Sequence, residues 1–172
     1  MDMDIPSAFG VVTDIVVALI LIFSLIGGLR QGAVKEIFGL AAFVIAMLLT
    51  GLFIGYVTGW LSFIGIVTWR NFLAFLLTMG LILLAMFLIF WIPRYFINKI
   101  WDGGFIWSLL GGIFGLIDCA LGLALLVKLL NIYPILSWLN SILASSHVLN
   151  WLVANFGPFI TMLLQFFTGK AV

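Results

Sequence analysis

Long apolar runs alternate with short polar ones along this chain, and the run lengths point to a lipid bilayer. Crossing about 30 Å of hydrocarbon takes about 20 predominantly apolar residues in a helix. Four runs qualify. They are residues 15–29, extended backwards to 9 by the apolar stretch before Asp14, then 37–56, 72–92 (stopped by Pro93) and 105–127. Asp118 is the one charge in their interiors.

The connections differ in kind. Arg30-Gln31-Gly32-Ala33-Val34-Lys35-Glu36 is a tight polar turn, so the first two spans are expected to pack as an antiparallel hairpin. Residues 57–70 are mostly apolar with Trp60 and Trp69, and tryptophan favours the headgroup level. They read as an interfacial loop or a short in-plane helix. Residues 93–104 hold Arg94, Lys99 and Asp102 and close a second hairpin.

From Asn131 the pattern changes. Ser137, Asn140, Ser141 and Ser145 recur at helical spacing among Ile135, Leu136, Trp138, Leu139, Ile142 and Leu143, which predicts an amphipathic helix lying in the interface. Residues 148–156 follow, then Gly157-Pro158, then 159–167, a nine-residue run too short to span. A broken fifth span over 148–167 is the alternative, against which Asn150, Asn155 and Pro158 count. The expected fold is an all-α membrane protein. Four transmembrane helices in two hairpins occupy 1–130, and an amphipathic interfacial tail occupies 131–172.

Composition agrees: 66% of the residues are hydrophobic and 8% charged, with mean hydropathy +1.39. A soluble domain carries roughly a quarter charged residues. A net charge of +1 offers no footprint for nucleic acid. Asp2, Asp4 and Asp14 stand where a secretory signal would be positive, so the first run reads as a retained span. Arg30, Lys35, Arg94 and Lys99 fall on one side, against Arg70, Lys128 and Lys170 on the other. Counted as positive-inside, that puts both hairpin turns in the cytoplasm and both termini outside.

Candidate chemistry is sparse. Cys119 is the single cysteine and His147 the single histidine, so neither an internal disulfide nor a Cys/His metal cluster is expected. His147, among serines, reads as a polar surface residue. The chain has no Walker A, HExxH or GxSxG pattern, and neither catalysis nor a cofactor is expected.

Asp118 is the strongest candidate. It lies about 18 Å along the fourth span, where an ionised carboxylate costs about 2.5–3.5 kcal/mol on insertion scales. It must face the bundle interior or water, or take up a proton. Functionally it reads as a proton- or cation-responsive group in a pathway; structurally, as a hydrogen-bond partner of Thr50, Thr78 or Ser24. Asp14 reads as a helix-start charge favoured by the macrodipole. Arg30, Lys35 and Glu36 form either an anchor on lipid phosphates or a docking site for a partner. Gly51, Gly55 and Gly59 make one GxxxGxxxG, while Gly111 and Gly115 make a GxxxG with Cys119 as the next small residue. Such spacing brings helices close, within a monomer or between copies.

Asp14, the apolar span and the Arg30-Gln31-Gly32-Ala33-Val34-Lys35-Glu36 turn together resemble the colicin V production protein family of bacterial inner-membrane proteins, which has an aspartate, a span, then a basic-Gly-x-x-basic-Glu turn. Leu110-Gly111-Gly112-Ile113-Phe114-Gly115 is similar to that family's glycine-spaced fourth helix, and Ser145-Ser146 before apolar helices is similar to its tail. The chain departs from the family at Trp107 and Ser108, where an Asp-Arg pair is usual. It departs again at Asp118 and Cys119, where an arginine and a glycine are frequent. The resemblance implies a role in toxin export and envelope homeostasis. Three kinds of function fit: a membrane partner or oligomeric pore component in that process, a channel or secondary transporter with Asp118 in its pathway, and a scaffold without transport.

Overall fold

Backbone groups facing hydrocarbon must find partners within their own segment, and this chain meets that demand with helices. The structure, a computed structural model, describes residues 5–100, 104–135 and 137–168. Asp2, Asp4, Asp102, Leu136 and Lys170 lie outside the described residues, as do the side chains of Arg94, Lys99 and Ser137. The helices are α1 (Ile5–Gln31), α2 (Ala33–Trp60), α3 (Val67–Ile100), α4 (Phe105–Ile132), α5 (Ser137–Ala144) and α6 (His147–Thr168), with a 3-10 turn at Leu61–Phe63. No strand occurs among the described residues. α1 to α4 are long and apolar enough to cross a membrane.

Two boundaries correct the sequence expectation. Within the stretch 57–70, α2 takes the residues to Trp60, the 3-10 turn follows, and α3 starts at Val67. α3 does not stop at Pro93 but continues to Ile100, 34 residues in all and about 51 Å of helix, more than the hydrocarbon needs. α6 is one 22-residue helix through Gly157-Pro158. Thr161 Oγ1 donates to the Gly157 carbonyl (2.8 Å) and the stem of Lys128 lies against Gly157, so the neighbourhood of Pro158 is held helical by its surroundings.

A further correction concerns which helices pack. Only Gly32 separates α1 from α2, at φ 78°, a left-handed conformation that glycine adopts without strain. Its N–H donates to the Gly28 carbonyl at 2.9 Å. Yet α1 packs chiefly on α4, and α2 chiefly on α3 and α4; the two helices joined by the turn make few contacts. Nor, among the described residues, do α3 and α4 pack closely along their backbones.

The glycines of α4 explain this. A Cβ on Gly111 would stand 2.6 Å from the Gly32 carbonyl carbon and 2.9 Å from the Ala33 nitrogen, and it would also strike the Gly28 carbonyl. A Cβ on Gly115 would lie 3.1 Å from the Ser24 carbonyl and 3.5 Å from the Glu36 carboxyl carbon. One bare face of α4 thus enters the cleft between α1 and α2 and holds them apart. Pairings Gly28/Gly111 and Ser24/Gly115 make α4 antiparallel to α1, and Gly32/Gly111 and Glu36/Gly115 make it parallel to α2.

Above the cleft, Phe43, Met47, Phe75, Leu121 and Leu125 form the main core. α6 crosses over α4 there. Leu149 and Leu152 from its first half join Val17 of α1 and Val127 of α4. From its second half, Ile160 and Leu163 reach Phe43 and Met47 of α2.

Candidate functional site

The cleft that α4 fills also holds the intramembrane carboxylate. Asp118 lies one turn beyond Gly115, and its Oδ2 would sit 3.8 Å from a Cβ on Gly39 of α2. Glu36 stands in the first turn of α2, against Gly115. The arrangement is reciprocal: each helix presents a carboxylate to a glycine of the other, at the same spacing of three residues.

Asp118 Oδ1 is buried with no hydrogen-bond partner. The three hydroxyls expected to serve it are spent elsewhere. Thr50 Oγ1 donates to the Ala46 carbonyl and Thr78 Oγ1 to the Ala74 carbonyl, each at 2.6 Å. Ser24 Oγ donates across the interface to the Gly115 carbonyl at 2.8 Å. The structural hydrogen bond proposed for Asp118 is therefore absent from all three. Ser108, at a position where the family usually has a charged residue, donates to the Leu29 carbonyl and stitches α1 to α4 at the turn.

Asp14 corrects the sequence reading. It is not at the start of its own helix, since α1 begins at Ile5. It caps another helix instead. Its carboxylate accepts from Ser146 Oγ, from the Val148 N–H at 3.1 Å and from the His147 N–H at 3.4 Å, while Ser146 Oγ accepts from the Leu149 N–H at 3.1 Å. These amides are the orphan donors of α6's first turn. Ser146 is fully buried. Gly10 makes room for the same turn, because a Cβ there would come within 2.6 Å of the Ser145 carbonyl oxygen.

The other candidates sort by exposure. Arg30 is exposed, and Lys35 and Glu36 are half-buried. Gly111 and Gly115 are buried inside the monomer, whereas Gly55 and Gly59 are exposed with open space around them and Gly51 is half-buried. Cys119 is half-buried and His147 exposed. Sequence reasoning missed Gly28, Gly39 and Gly10 as seats for α4, Asp118 and the tail. It also missed Ser146 as the partner of Asp14, although the Ser145-Ser146 pair ahead of an apolar run was an N-cap signal.

Four spanning helices built around an interlocked core define a multi-pass membrane protein. The Colicin V production protein family matches residues 13–158, most of the chain, and the chain belongs to that family. The match begins one residue before Asp14 and ends within α6. No curated protein and no solved structure matches the chain.

Proposed function

We propose that this chain is a bacterial inner-membrane protein that supports toxin export or envelope homeostasis as a component of an oligomeric pore, with Asp118 as its proton- or cation-responsive group. One observation carries the reading: a carboxylate oxygen buried within a span that has no hydrogen-bond partner. Uncompensated intramembrane carboxylates mark ion and proton pathways. The exposed glycines of α2, Gly55 and Gly59, support self-association, and four spans need partners to enclose a path. In this reading the Arg30–Glu36 turn is cytoplasmic, both termini are outside, and α6 lies in the outer interface.

Purified protein in liposomes tests it through proton and monovalent-cation flux. The wild type is expected to conduct, and Asp118→Asn to conduct roughly tenfold less. Vesicles equally tight with wild type and without protein would replace the pore by a membrane-partner scaffold and move the search to partners of the Lys35 turn and the tail. Gly55→Leu is expected to lower the detergent-phase mass without loss of the fold, because that position faces open space. A monomer before and after the change would remove the oligomer.

A further inference from the structure

We infer that Glu36 is the outer member of a two-carboxylate proton relay whose inner member is Asp118, entered from the end of the bundle that carries the Arg30–Glu36 turn. The inference rests on the reading of Asp118 as a proton-responsive group and names the residue that supplies it. The α2/α4 seam places the two groups. Glu36 lies against Gly115, and Asp118 lies against Gly39. The helices run parallel, so three residues of rise set the carboxyl groups in successive layers about 4.5 Å apart along the axis. Each glycine leaves the space that the opposing carboxyl occupies.

The surroundings favour a proton over a metal ion. Among the described residues no group of three or more His, Cys, Asp or Glu side chains could hold a metal. Hard cations take about six or more oxygen ligands, more than the carboxyl groups of Glu36 and Asp118 supply. Asp118 Oδ1, buried and unpartnered, is the acceptor atom. Among the described residues, the titratable neighbours of the two carboxyls in the chain are Lys35, next to Glu36 at the start of α2, and the Cys119 thiol, next to Asp118. α1 brings the neutral Ser24, and His147 of α6 lies at the other end, beside Asp14. In the step itself, the O–H bond on the Glu36 carboxyl breaks and one forms on Asp118 Oδ1, directly or through one water. The Glu36 carboxylate then takes its next proton from solution at the turn.

The test compares proton uptake driven by a pH gradient in liposomes holding wild type, Glu36→Gln or Asp118→Asn. Alongside it runs the infrared C=O band that disappears in Asp118→Asn. Glu36→Gln is expected to slow uptake roughly tenfold and to shift that band. Asp118-dependent uptake that Glu36→Gln leaves unchanged would overturn the relay and keep the reading of Asp118; uptake independent of Asp118 would overturn both. Should Glu36→Gln fail to fold, Glu36→Asp withdraws the carboxyl by one methylene. It is expected to slow uptake several-fold, and unchanged uptake in that variant also overturns the relay.

Discussion

Replacing Gly111 with alanine is expected to separate α1 from α4 and to cost about 3 kcal/mol or more of stability in detergent. Overpacking a side-chain core typically costs about 1–3 kcal/mol because neighbouring side chains can yield. Here the first added carbon meets backbone on two helices at once. It would stand 2.6 Å from the Gly32 carbonyl carbon and 2.9 Å from the Ala33 nitrogen, and against the Gly28 carbonyl. None of these atoms can move without breaking a helix or the Gly32 turn. In lipid, tight packing and interhelical hydrogen bonds must supply the association that hydrophobicity supplies in water. A forced separation also strands two bridges, Ser24 to the Gly115 carbonyl and Ser108 to the Leu29 carbonyl. Gly80→Ala is the control, since nothing lies within 4 Å of a Cβ there. It should change stability by no more than about 0.5 kcal/mol. Thermal unfolding of both variants, with a cysteine cross-link between α1 and α4, measures the difference. Equal melting of the two would mean that the bare face of α4 does not carry the association.

That interface also marks where the sequence stops being informative. Length and apolarity fix the number of spans, because hydrocarbon thickness is a ruler that each span meets alone. They say nothing about partners, since every span is apolar on all sides and lipid competes equally for each face. The short Arg30–Glu36 turn suggested that α1 and α2 touch. Gly111 and Gly115 carried the missing information, as places where a third helix enters between them. The GxxxG pattern at 111 and 115 was visible, but so was the one at 51, 55 and 59, and the pattern alone could not separate a filled face from an open one. Asp118 was legible by position, because charge inside a span stands out. Its counterpart Glu36 was not, because an acidic residue at a turn reads as solvated until α4 is laid over it. Pro93 and Pro158 misled in the same direction. Both look like helix ends, yet helix continues through each.

Asp14→Ala is expected to release the tail at its hinge and to speed amide exchange at Val148 and Leu149 about thirtyfold, equivalent to about 2 kcal/mol at 1.4 kcal/mol per decade. The magnitude follows from what the carboxylate does. It satisfies two backbone N–H groups of α6's first turn and the Ser146 hydroxyl. Hydrogen bonds to charged groups contribute about 1.5–3 kcal/mol when shielded, and a half-exposed acid sits toward the low end because water screens it. Ser146→Ala removes one acceptor of the same network, for Leu149 N–H, so the two changes should be strongly non-additive in a double-mutant cycle. Apolar contacts through Leu149 and Leu152 to Val17 and Val127 remain in every variant and should keep α6 helical. The effect is therefore expected at residues 144–150 and not beyond Gly157, where Lys128 bonds Thr161 at 3.1 Å. Exchange accelerated evenly along all of α6 would mean that Asp14 holds the whole helix on the bundle. Exchange unchanged at Val148 would mean that the apolar seat alone fixes the tail and that the aspartate serves only the insertion of α1.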